Sequence, residues 1–175
     1  MGATVIAMGR NRETLERLNN TFGSTGRLIT VPMTGTLEGD TSALRAASAD
    51  GFSVFFDISP PAAAGNTYFP AAFSLLKHGG RVALMGGVSG AVSIPYGIIV
   101  HNDLKIFGKW MYSQEQVRRC IQMAETGVLA LGERSGVVTR GEYGLEEIEA
   151  AVERAGTESR WGAQVVVEPA MGMRK

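Results

Sequence analysis

Two arginines follow a glycine at the end of the first apolar run, in Gly9-Arg10-Asn11-Arg12. A guanidinium there makes charge-assisted hydrogen bonds to a phosphate monoester, and glycine leaves room for the ligand. The same residues also support a plainer arrangement, with Asn11 capping a helix and both arginines solvated. Asp57-Ile58-Ser59-Pro60 sets a carboxylate two residues before a hydroxyl. Ser59 suits a ribose hydroxyl, and Asp57 suits either a substrate group or neighbouring backbone amides. Gly86-Gly87-Val88-Ser89-Gly90 permits close backbone approach but lacks the G-x-G-x-x-G spacing of a phosphate-binding turn. Lys109-Trp110-Met111-Tyr112 offers backbone groups to a ring-shaped ligand and a charge at Lys109, or simply packing. His78 and His101 stand alone, without an H-E-x-x-H pair or a G-x-S-x-G elbow. No catalytic residue and no metal ligand is assigned from this set.

These groups sit between segments that alternate in type. Thr4 to Met8, Leu28 to Val31, Ser53 to Ile58, Arg81 to Met85, Leu104 to Gly108 and Gln164 to Val167 read as strands. Leu15, Leu18 and Phe22 mark a helix, a weaker one spans Ser42 to Ala49, and Phe69, Phe73 and Leu76 share a helix face ended by Gly79-Gly80. Ser113 and Gln116 are spaced as a capping box for a helix carrying Val117, Cys120, Ile121 and Ala124, with Gly127 as its stop. Leu145, Ile148 and Val152 mark a last amphipathic helix. The unbroken apolar character of Val54, Phe55, Phe56 and Ile58 predicts a strand covered on both faces. Alternating strands and helices predict a doubly wound parallel sheet. In such a sheet ligands bind beyond the carboxyl ends of the strands. In a dinucleotide-binding fold the first of these loops places the group that meets the adenosine ribose. It holds no acidic side chain for a 2'-hydroxyl, and Arg10 with Arg12 favours a 2'-phosphate, hence NADP over NAD.

Length and composition narrow the classes. The 175 residues suit one domain, and seventeen basic residues balance seventeen acidic ones, so no long-range field gathers nucleic acid or an anionic membrane. Cys120 is the single cysteine, which excludes an intrachain disulfide framework and a zinc site of several thiolates. With no apolar run of membrane-spanning length and no signal-peptide pattern, the expected setting is soluble, reducing and cytoplasmic.

Thr4-Val-Ile-Ala-Met-Gly-Arg-Asn, Phe55-Phe-Asp-Ile-Ser, Gly80-Arg-Val-Ala-Leu-Met-Gly-Gly and Leu104-Lys-Ile-Phe-Gly-Lys-Trp-Met-Tyr occur in that order. The chain ends with Tyr143-Gly-Leu-Glu-Glu-Ile-Glu-Ala-Ala-Val and Gly162-Ala-Gln-Val-Val-Val. Over nearly its whole length the chain resembles the medium-chain dehydrogenase/reductase superfamily, in particular the C-terminal, cofactor-binding half of zinc-type alcohol dehydrogenase-like proteins. The resemblance implies an incomplete Rossmann-like sheet lacking its first strand and glycine-rich turn. Residues 1–175 then form a partial dinucleotide-binding domain, with a helix-strand extension from about 140 to 175. It also implies that a nicotinamide dinucleotide, NADP with NAD left open, meets Gly9, Arg10, Asn11, Ser59, Gly86, Gly87, Val88, Lys109, Trp110 and Met111. The strand at Leu104 to Gly108 is implied to lie near the edge where two subunits join, giving a homodimer. Zinc ligands and proton-relay groups belong to the preceding domain, so the chain is expected to be the inactive cofactor-binding portion of an oxidoreductase. The alternative is a non-catalytic Rossmann-like fragment or oligomerisation module without nucleotide binding. Loss of the first strand is expected either to open a gap between the first and third strands or to force them together.

Overall fold

The computed structural model describes residues 2–63, 65–158 and 161–170. They form two compact units, Met1–Ser113 and Gln114–Lys175. The first unit runs β1 (Val5–Gly9), α1 (Arg12–Phe22), β2 (Leu28–Pro32), α2 (Leu37–Ala47), β3 (Phe52–Asp57), α3 (Tyr68–Ser74), β4 (Leu76–Leu84), α4 (Tyr96–His101) and β5 (Lys105–Gly108). Side-chain caps set the helix starts. Asn11 Oδ1 accepts the Thr14 amide at 3.0 Å, and Thr36 Oγ1 accepts the Gly39 amide at 3.1 Å. The Thr36 cap is why α2 begins at Leu37, five residues before the expected Ser42, and Ser48 already lies outside it.

β1 and β2 pair in parallel, from Val5 opposite Leu28 to Gly9 opposite Pro32. β3, β4 and β5 form a second parallel sheet, with Asp57 opposite Leu84 and Leu84 opposite Gly108. No ladder joins β1 to β3 among the described residues. The doubly wound order is 3-2-1-4-5-6. Here β2 and β1 occupy its first two places and β3, β4 and β5 its last three, so the place of the first strand is a gap. Of the two expected arrangements, direct pairing of β1 with β3 is not seen among the described residues.

Helices hold the two half-sheets together. Leu44 of α2 packs with Ala71 and Leu75, and Ile6 and Met8 of β1 and Phe52 of β3 rest on this shared floor. A second cluster joins Phe69, Phe73, Leu76, Val82 and Leu104. The Phe69 and Phe73 rings stack at 5.0 Å, and Phe55 meets them edge-on at 5.5 and 6.0 Å. Such pairs add about 0.5–1.5 kcal/mol beyond the area they bury.

The strand at residues 53–58 does not have cover on both faces. Phe55 and Asp57 point inward, but Val54 and Phe56 are each 53% exposed and Ile58 is more so, because α3 packs only one side. Leu76 is not the last turn of a helix either. α3 stops at Ser74, the Leu75 carbonyl accepts the Phe52 amide, and Leu76 opens β4 while still packing with Phe69 and Phe73. Helix α4 goes unannounced in the sequence, since Ile98, Ile99 and Val100 favour strands as readily as one short turn of helix.

A buried carboxylate links the helix ends. Asp40, fully buried in α2, accepts the Thr34 amide at 2.6 Å, the Thr34 hydroxyl at 2.8 Å and the Thr67 hydroxyl at the start of α3. Burial alone raises its pKa, but hydrogen bonds from Thr67, Thr34 and the Gly35 backbone outweigh it and hold the group below its ordinary 3.8.

In the second unit, α5 (Gln114–Glu125) ends where the Gly127 amide reaches the Ala124 carbonyl. β6 (Val138–Tyr143) then pairs in parallel with β7 (Ala163–Val167) across helix α6 (Ile148–Glu158). β6 was not legible as a strand because polar residues and Gly141 interrupt it. The expected face of Leu145, Ile148 and Val152 is exposed, whereas Ala151 is the buried residue of α6.

Replacing Asp40 by Asn removes the charge and half of the acceptor capacity, with an expected loss of about 1–3 kcal/mol at neutral pH. Because the folded pKa is depressed, the advantage over Asp40→Asn is full above pH 3.8 and fades as the pH falls through the folded value. Urea melts of both proteins at neutral and acid pH measure this.

Candidate functional site

The carboxyl ends of β1 and β3 open onto one cavity of about 160 Å³, lined by Met8, Gly9, Arg10, Met33, Ser59, Pro60, Ala63, Asn66 and Tyr68. Gly9, Arg10 and Ser59 are therefore brought together from two different sheets. Gly9 is fixed by its carbonyl accepting the Met33 amide at 2.9 Å, and the place of a Cβ there meets only Leu15, at 3.6 Å. Arg10 is exposed at the rim. Asn11 is outside the lining, and its side-chain oxygen is committed to the α1 cap. A cavity of that volume has room for a group the size of a phosphate or a ribose, whereas sites for larger ligands span roughly 300–1,000 Å³.

Asp57 organises the far wall. It is buried, and one carboxylate oxygen accepts the Ser59 hydroxyl at 2.6 Å, the Ser59 amide at 3.3 Å and the Tyr68 hydroxyl at 3.2 Å. Ser59 thus spends its proton on Asp57 and keeps oxygen lone pairs to accept with. Burial raises the Tyr68 pKa, a side-chain hydrogen bond with Ser59 opposes this, and the charge and hydrogen bond of Asp57 add to the rise. Tyr68 therefore stays protonated through neutrality and donates to Asp57. Neither Tyr68 nor Asn66 was singled out in the sequence, because only the fold brings them back to Asp57 and Arg10.

The ladder between β3 and β4 continues past the strands. The Met85 amide donates to the Asp57 carbonyl at 2.9 Å and the Gly87 amide to that of Ser59 at 2.8 Å. Gly86 is pressed between them: a Cβ there would lie 2.6 Å from Asp57 Oδ2 and 2.8 Å from the Ser59 carbonyl oxygen. Val88 lines a separate, larger cavity of about 450 Å³ with Phe69, Val92, Ile94 and Pro95. Tyr68, Ala63 and Asn66 line both. Lys109 extends β5 by donating its amide to the Leu84 carbonyl at 3.0 Å. Lys109, Trp110 and Met111 are exposed, Trp110 by 82%, and belong to neither cavity. Among the described residues, no three His, Cys, Asp or Glu side chains gather as metal ligands, so this donor set does not fit zinc.

A family model described as zinc-binding dehydrogenase matches residues 1–126. The chain belongs to that family. No curated protein matches it. Among solved structures, this chain resembles a short chain alcohol dehydrogenase from Escherichia coli CFT073, complexed with NADH, at 18% identity and a TM-score of 0.68. The alignment covers 94% of the chain and 44% of that protein. 2R,3R-butanediol dehydrogenase from Bacillus subtilis matches at 16% identity and TM-score 0.68, over 96% and 44%. CurA from Vibrio vulnificus, in complex with NADPH, matches at 16% identity and TM-score 0.60, over 95% and 50%. These likenesses establish the Rossmann-like fold, and the chain spans less than half the length of the first two. No helix among the described residues is long and apolar enough to cross a membrane.

The crowding at Gly86 gives a direct check. Gly86→Ala is expected to lose roughly 1–3 kcal/mol, since backbone and Asp57 must both move. Gly97→Ala in α4, where nothing lies within 4 Å, is expected to gain about 0.5–1 kcal/mol. Thermal or urea melts compare the two.

Proposed function

We propose that this chain is the cofactor-binding portion of an NADP(H)-dependent alcohol dehydrogenase-like oxidoreductase, inactive alone. The observation that carries the proposal is the convergence of Gly9, Arg10 and Ser59 on one cavity at the carboxyl ends of two parallel strands. Arg10 holds the 2'-phosphate by charge-assisted hydrogen bonds, Gly9 allows close approach, and Ser59 Oγ accepts from a ribose hydroxyl. Gly86, Gly87 and Val88 border the next part of the ligand, and backbone groups of Lys109 to Met111 border the ring. Asn11 acts indirectly, by fixing the start of α1 behind Arg10. The bound dinucleotide would supply hydride transfer, and the residues of this chain bind and orient it. Family membership and the NADH and NADPH complexes among similar folds support the cofactor class.

Two further parts of the proposal concern setting. The free edge of β5, flanked by exposed Phe107, Trp110 and Tyr112, pairs two copies into a homodimer. The exposed Cys120 thiol suits a reducing cytoplasm.

Calorimetric titration with NADPH and NADH tests the cofactor assignment. Saturable binding that prefers NADPH is expected, with Arg10→Ala weakening NADPH roughly tenfold or more and leaving NADH unchanged, as loss of a charged hydrogen bond of about 1.5–3 kcal/mol requires. A folded chain that binds neither nucleotide is instead the non-catalytic module.

A further inference from the structure

The wall of the smaller cavity holds one side chain with hydrogen-bonding capacity to spare. Ser59 and Tyr68 both donate their protons to Asp57, at 2.6 and 3.2 Å, so Ser59 meets the cavity as an acceptor and the Tyr68 proton is committed. Met8, Met33, Pro60 and Ala63 are apolar. Among the lining side chains that leaves two donors, Arg10 at the rim and Asn66. The Asn66 side-chain amide is half-buried, makes no hydrogen bond among the described residues, and lines this cavity as well as the larger one. Its backbone is fixed from both sides. The Asn66 amide donates to the Ala63 carbonyl at 3.2 Å, and the next residue, Thr67, gives its hydroxyl to the buried Asp40. A side chain on so anchored a turn has less freedom to lose on binding.

We propose that Asn66 is a second determinant of NADP over NAD: its amide N–H groups hold the 2'-phosphate from the side of β3 while Arg10 holds it from the side of β1. This role rests on the cavity being the 2'-phosphate site. Two N–H donors on one amide suit a group with several acceptor oxygens and no proton to give. A phosphate dianion is such a group, and its hydrogen bonds are charge-assisted, hence stronger than those a 2'-hydroxyl makes with the same amide. The dianion is kept off the Ser59 side, where an acceptor oxygen stands before the buried Asp57 carboxylate. Asn66 and Arg10 thus take the phosphate, and the Ser59 oxygen is left to the ribose.

Calorimetric titration of the full chain with NADPH and with NADH tests this. Asn66→Asp keeps the shape of the side chain but turns its donors into acceptors and adds a charge, which repels a 2'-phosphate and accepts from a 2'-hydroxyl. The ratio of NADPH to NADH affinity is therefore expected to fall roughly tenfold or more in Asn66→Asp, and roughly fivefold in Asn66→Ala. In the unaltered chain, the Asn66 side-chain amide signals in nitrogen–proton correlation spectra are expected to move on adding NADPH or adenosine 2'-monophosphate, and to move less with NADH. Variants that weaken both nucleotides in proportion, or that leave the ratio unchanged while Arg10→Ala lowers it, overturn the role of Asn66 and leave the cofactor assignment standing. Unmoved Asn66 signals in the NADPH complex do the same, even where a variant fails to fold. A folded unaltered chain that binds neither nucleotide overturns both.

Discussion

The contact that the first unit depends on is the one between Asp40 and the hydroxyl of Thr67. With no ladder between β1 and β3 among the described residues, the two half-sheets are coupled through helices, and helices pack with less directional control than a hydrogen-bonded sheet. A buried carboxylate satisfied by Thr34 on one side and Thr67 on the other supplies that control, since each donor it loses leaves an ionised group short of partners in a dry place. Arg10 stands on one half-sheet and Ser59 on the other, so their separation is set by this clasp and by the floor of Leu44, Ala71 and Leu75.

Asp57 does for the end of β3 what Asp40 does for the helices. It gathers Ser59 and Tyr68 and leaves Gly86 no room for a side chain. Both acids are buried and both accept several hydrogen bonds. The cavity brings together the cation of Arg10, the hydroxyl oxygen of Ser59 and the open backbone of Gly9.

Much of the fold was legible because strand and helix periods differ, and the five strands of the first unit fall within a residue or so of their expected places apart from the early start of β4. Of the loops that follow strands, those after β1 and β3 bring Gly9, Arg10 and Ser59 to one cavity. What the sequence concealed were long-range facts. An apolar run such as Val54 to Ile58 signals a wish for cover but not whether cover exists, and half of it stays wet. Tyr68 lies eleven positions beyond Asp57 and carries no motif, so its place in the wall emerges only from the turn that brings α3 back over β3. Helix α4 and strand β6 lack the periodicity that gives such elements away, and the cap at Thr36 outweighs the weak propensity of the residues that follow it.

The wet face of β3 also bears on how the chain melts. Denaturant sensitivity and the heat-capacity change of unfolding both scale with apolar surface newly exposed. Val54, Phe56 and Ile58 already face solvent in the folded state and so contribute little to that change. The first unit therefore unfolds with a shallower denaturant slope and a flatter stability curve than a fully covered sheet of its length. Its stability accordingly varies less with temperature.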